Sequence, residues 1–118
     1  MNLGTADQLF LKVLRFYAIL HLVNLGIIFC AVLHTVFDLS AEEWVATKEL
    51  IDRAKAYVDS KYNPDGYNVG WNCGDAGGQD VFHAHLHIIP RHADEPFAGR
   101  GIRSWIKREE NRRPQSEV

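Results

Sequence analysis

The chain has 118 residues, 13 basic against 15 acidic side chains, and a formal charge of −2 at pH 7. That length suits a single domain over residues 1–118, with one hydrophobic core. Near-balanced charge excludes a protein that binds nucleic acid by bulk electrostatics. Two cysteines, Cys30 and Cys73, cannot build a disulfide framework, so a reducing, cytoplasmic setting is the default expectation.

Three stretches differ in texture: an apolar region over 1–36, a motif-bearing part over 37–114, and a tail over 115–118. Leu9, Phe10, Val13 and Leu14 fall at helical spacing and predict a short amphipathic piece. Phe16 to Phe37 follows, 22 residues without Asp, Glu, Lys or Arg. Two readings stand for it. It is long and apolar enough to span a bilayer, with Lys12 and Arg15 on one flank. Alternatively, Phe16–Val23 and Ile27–Leu33 are two buried strands joined at Asn24-Leu25-Gly26. His21, Asn24 and His34 interrupt the apolar run and favour the strands, so membrane attachment is the second choice.

Ser40-Ala41-Glu42-Glu43 is a capping box, and it predicts a helix from Ala41 to about Tyr62. Trp44, Ile51, Ala54 and Val58 are its expected apolar stripe. Asn63-Pro64-Asp65-Gly66 ends the helix and turns the chain. Tyr67–Cys73 reads as a strand. Next comes a loop with three glycines in five positions, Gly74-Asp75-Ala76-Gly77-Gly78, whose backbone N–H groups are free to turn toward an anion. Asn72 and Gln79 add amide donors without charge.

The loop runs into Val81-Phe82-His83-Ala84-His85-Leu86-His87-Ile88-Ile89. Histidine at every second position, with apolar residues between, is the pattern of a half-buried strand closed by Pro90. Three imidazoles then share one face. Such a face can be a solvated surface, a metal site or a phosphate-handling site. The adjoining loop favours the last, because it sets anion donors beside groups that are nucleophilic when neutral.

The block Asn72-x-Gly74-x-x-Gly77-Gly78-Gln79-x-Val81-x-His83-x-His85-x-His87-Ile88-Ile89 resembles the signature of the histidine triad (HIT) family of nucleotide hydrolases and transferases. The similarity runs from about Phe37 to Pro114, and residues before Phe37 are divergent. The resemblance implies an α+β fold, a HIT-like antiparallel sheet with one long helix, paired in a two-fold homodimer. It implies a nucleotide substrate, with no cofactor, no metal and no nucleic-acid partner. By the same resemblance His85 is the nucleophile, attacking an α-phosphorus to form a nucleotidyl-histidine that water then cleaves. His83 supplies a carbonyl to the His85 ring, and His87 contacts phosphate oxygens. Gly78, Gln79, Asp80 and Val81 line the phosphate, with Asn72 in support.

Three departures from the family pattern shape the expectation. Ile27 follows Asn24-Leu25-Gly26, where related sequences usually carry His after Asn-x-Gly. His34 is the nearest counterpart of a fourth histidine. Asp80 replaces the usual Ser or Thr, and an ionised carboxylate accepts hydrogen bonds without donating any. A protein that binds nucleotides with little turnover is therefore the alternative function. In the tail of the motif-bearing part, six basic residues (Arg100, Arg103, Lys107, Arg108, Arg112, Arg113) stand against Glu109 and Glu110. They form either a solvated end or, through Arg100, Arg103 or Trp105, a border of the site.

Overall fold

The computed structural model describes residues 16–19, 27–31 and 33–114. The chain folds as an antiparallel sheet with one long helix on it. The strands are β1 (Phe16–Ile19), β2 (Ile27–Ala31), β3 (Gly66–Gly70) and β4 (His85–Arg91), in the order β1-β2-β4-β3. Every neighbouring pair is antiparallel. Helix α1 spans Ala41–Tyr62, and a one-turn helix α2 spans Ile102–Ile106.

The capping box sets the start of α1. Ser40 Oγ accepts from the Glu43 N–H at 3.1 Å, and the Glu43 carboxylate accepts from the Ser40 N–H at 2.8 Å. At the other end Asn63 turns left-handed at φ 44°, and its N–H donates to the Asp59 carbonyl. Pro64 cannot continue a helix.

The stripe of α1 differs in part from expectation. Ala46, Leu50, Ala54 and Val58, spaced four apart, are the buried row. Thr47 is buried beside them and donates its hydroxyl to the Glu43 carbonyl at 2.7 Å. Ile51 packs at the edge of this row. Trp44 is 51% exposed and lies against Trp71, ring centres 5.9 Å apart. Two alanines in the row let the helix backbone come close to the sheet, and a Trp at 44 belongs to the rim. Ala84 and, within β4, Leu86 and Ile88 supply the opposing surface.

Two strands occupy the apolar stretch before Phe37, with Phe16 opposite Ala31 and Ile19 opposite Ile28. The rest of the expected first strand, residues 20–23, and residue 32 of the second lie outside the described residues. The turn at 24–26 and the amphipathic piece over 1–15 lie outside the described residues, as does the tail over 115–118. No helix among the described residues is long and apolar enough to cross a membrane.

β4 also differs from the expected Val81–Ile89 strand. It begins at His85 and continues through Pro90 to Arg91. Its register with β2 covers His85 to Ile88, so the missing N–H of Pro90 breaks none of the described rungs of that ladder.

Candidate active site

The histidine row stands at the centre of the sheet. His85 pairs with Cys30 of β2, and His87 lies between Ile28 of β2 and Gly70 of β3. Because residues directly opposite share a face, Gly70 leaves no side chain on the β3 side of His87. A methyl group built at Gly70 would meet nothing within 4 Å, so the space there is open.

His83 precedes the strand, yet its ring stays in the row. The His83 and His85 rings stack with centres 4.8 Å apart, planes 23° from parallel. The His85 and His87 rings lie 5.8 Å apart at 20°. The segment entering the strand is pinned by the Ala84 N–H, which donates to the Leu33 carbonyl at 2.7 Å, and by the His83 N–H, which donates to Val81 at 2.8 Å.

One contact sets the chemistry of the middle ring. His85 Nδ1 lies 2.7 Å from the backbone carbonyl of His83. A carbonyl oxygen only accepts, so Nδ1 carries the proton and Nε2 keeps its lone pair. An imidazole in that tautomer can attack an electrophile through Nε2 without first losing a proton.

Burial, and secondarily the neighbouring charge of His85, hold the His87 pKa below the ordinary histidine range. Between the depressed folded value and the unfolded value near 6.5, the unfolded chain binds more protons than the folded one, so stability rises with pH. The melting temperature is expected to fall as pH drops from 7 toward 5. The His87→Gln variant should show a shallower acid-side slope, and an unchanged slope would remove His87 as its source.

The glycine-rich loop is arranged differently from expectation. Gly74 and Gly78 take left-handed φ values of 71° and 85°, which closes a tight turn over Asp75–Gly77. That turn consumes its own amides. The N–H groups of Gly77 and Gln79 donate to the Gly74 carbonyl at 3.1 Å, and that of Gly78 to Asp75 at 3.0 Å. Gln79 is engaged at both ends of its side chain, accepting from the Gly74 N–H at 2.8 Å and donating to the His34 carbonyl at 2.7 Å. The amides of Gly78 and Gln79 are therefore tied inside the loop. The N–H groups of Asp80 and Val81, and the Asn72 side chain beside Gly78, have no partner among the described residues.

His34 enters through its backbone. Its carbonyl anchors Gln79, while its ring meets Phe82 edge-on at 3.9 Å. The residue that sequence reasoning passed over is Arg91. Its guanidinium donates to Glu95, to Asn68, and to the carbonyls of Phe97 and Arg100 at 2.9 Å each. The signal was its parity with 83, 85 and 87, hidden once the strand was ended at Pro90.

The family model described as HIT domain matches residues 15–94. The chain belongs to the HIT family. The match takes in all four strands and α1, reaches upstream of Phe37, and ends before α2. A curated relative, the bis(5'-adenosyl)-triphosphatase of Dictyostelium discoideum, is 38% identical over 56 residues. That alignment covers 48% of this HIT chain and 38% of the relative's length. Among solved structures, a HIT family protein from Bacillus anthracis superposes with a TM-score of 0.59 at 27% identity, covering 68% of this chain and 60% of that one. A zinc-bound histidine triad family protein from Mycobacterium smegmatis gives 0.56 at 25% identity, covering 74% and 67%. The C. elegans NitFhit protein shares the fold, with a TM-score of 0.60 at 21% identity over 67% of this chain and 20% of its own.

Proposed function

We propose that this HIT chain hydrolyses nucleotide conjugates, either nucleoside phosphoramidates or dinucleoside polyphosphates, through a nucleotidyl-histidine intermediate on His85. The observation that carries the reading is the 2.7 Å contact between His85 Nδ1 and the His83 carbonyl. In the first step the Nε2 lone pair forms a bond to the α-phosphorus, and the leaving group departs with the electron pair of its own bond to phosphorus, a phosphoramidate nitrogen first taking a proton from solvent so that ammonia leaves. In the second, water attacks the phosphorus, loses a proton to solvent, and releases the imidazole with its lone pair restored. The neutral His87 and the open N–H groups of Asp80 and Val81 are the donors assigned to the phosphate oxygens. The similarity to a dinucleoside triphosphatase supports the substrate class. The family's two-fold pairing is extended to this chain as part of the same proposal. Turnover of adenosine 5′-phosphoramidate and of diadenosine triphosphate by the purified protein tests the reading.

A second reading, a nucleotide binder with little turnover, draws on two observations. Asp80 is exposed three positions before His83 in the chain, and an ionised carboxylate facing the site would repel a bound phosphate. The glycine amides of the loop are spent on its own turn. Asp80→Ser restores a hydroxyl donor and removes the repulsion. It is expected to raise kcat about tenfold, less than the roughly hundredfold or more that one preorganised donor can supply. Equal or lower turnover in that variant counts against this role for Asp80.

A further inference from the structure

Two segments distant in the chain meet just ahead of the histidine row: 33–34, which follows β2, and 79–84, which leads into β4. The β2–β4 register ends with Cys30 opposite His85. Past that rung three contacts join the two segments. The Ala84 N–H donates to the Leu33 carbonyl at 2.7 Å. The His34 and Phe82 rings meet edge-on at 3.9 Å. The Gln79 side-chain amide donates to the His34 carbonyl at 2.7 Å, across 45 positions of sequence.

The same amide turns its oxygen to Gly74, accepting from that N–H at 2.8 Å, while the Gly74 carbonyl accepts from the Gln79 N–H at 3.1 Å. One side chain thus closes the glycine turn and bolts it to the segment after β2. The two partners fix which way the amide points, since a carbonyl needs a donor and an N–H needs an acceptor. An ionised Glu lacks the donor, and a Lys lacks the acceptor. The turn buries no residue, and 74–78 are all exposed. Hydrogen bonds, rather than packing, therefore hold it. Directly after Gln79 come the open N–H groups of Asp80 and Val81. The Val81 carbonyl is held by the His83 N–H at 2.8 Å. The open pair is thus tied on one side to the Gln79 clamp and on the other to the histidine row.

We infer that Gln79 is a positioning residue, which acts on the phosphate through Asp80 and Val81 by clamping the glycine turn to His34, so that their two N–H groups hold one direction before substrate arrives. This rests on the reading above, which assigns those N–H groups to the phosphate oxygens. Donors aimed in advance need no reorganisation during the reaction. The α-phosphate is common to all the proposed substrates, so the clamp serves each of them alike.

Gln79→Met keeps the length of the side chain and loses both of its hydrogen bonds. In the substrate-free variant the Gly74 amide is expected to exchange with solvent about tenfold faster than in the wild type. The kcat/KM should fall about tenfold on both diadenosine triphosphate and adenosine 5′-phosphoramidate, less than the loss of a whole donor. Gln79→Glu separates positioning from direct contact. At pH 7 its carboxylate still accepts from Gly74, so it should retain more activity than Gln79→Met. A side chain that touched the phosphate would give the opposite order, because the carboxylate would repel it. Gln79→Glu less active than Gln79→Met, unchanged exchange at Gly74 in Gln79→Met, or activity of Gln79→Met within about twofold of wild type overturns the assignment. If the wild type turns over neither compound, the hydrolase reading fails, and calorimetry of adenosine 5′-monophosphate binding decides the clamp alone. Binding about tenfold weaker in Gln79→Met supports it, and equal affinity, or no binding to the wild type, overturns it.

Discussion

Replacing His85 by alanine is expected to lower kcat at least about a thousandfold on every substrate the protein turns over, because the proposed mechanism forms its covalent bond to phosphorus through His85. The fold should survive. His85 is only half-buried, and its loss removes one side-chain hydrogen bond from a strand held by two partners. A melting temperature close to wild type is therefore the companion expectation. His83→Ala should do less harm than His85→Ala, because the group that sets the His85 tautomer is the backbone carbonyl at 83, which any residue supplies. If His83→Ala and His85→Ala lose activity equally, the His83 ring has a role beyond its carbonyl. If His85→Ala keeps a tenth of the activity or more, His85 is not the nucleophile.

The second large effect concerns what holds the row in place. Leu86 is 1% exposed and sits between His85 and His87 in sequence, on the opposite face of β4. It packs in the core cluster with the buried row of α1. Leu86→Ala removes apolar surface and leaves a cavity that the rigid helix and sheet cannot fully close. A cost of about 2–5 kcal/mol is expected. Against a typical domain stability of about 5–15 kcal/mol, that leaves the variant marginal. Urea denaturation followed by tryptophan fluorescence measures it. Leu86→Met, which nearly conserves volume, should cost less than about 1.5 kcal/mol. A cost below about 1 kcal/mol for the alanine would mean that Leu86 is not packed as described. Activity at 25 °C should fall with stability in these variants, since Leu86 and the two histidines alternate on one strand.

The helix was legible in the sequence because local chemistry decides it: Ser40 and Glu43 start α1, and Asn63-Pro64 stops it. The alternation of the histidine row was legible for the same reason. Period-two spacing puts Ala84, Leu86 and Ile88 in the core against α1, but not Phe82, which precedes the strand and is 84% exposed. The buried row of α1 was less legible, because Trp44 and Ala46 are both apolar and only the approach of helix to sheet makes the smaller one core. The strand end was misjudged at Pro90, since a proline stops a strand only where its N–H is required. The loop held the largest surprise. Glycine spacing reveals the freedom to turn but not the direction, and here Gly77 and Gly78 turn their N–H groups onto the loop's own carbonyls. Arg91 stayed hidden because its four acceptors come from two separate segments, Asn68 of β3 and the stretch 95–100, brought together only by the fold.

The most direct test of a nucleotidyl-histidine on His85 is to quench the protein with acid-avoiding denaturant milliseconds after mixing with diadenosine triphosphate, and to map adducts by mass spectrometry. The account predicts an adenylyl group on the peptide containing His85, present in wild type and in Asp80→Ser, absent in His85→Ala. Turnover with no adduct under any quench, or an adduct carried by a different residue, contradicts it.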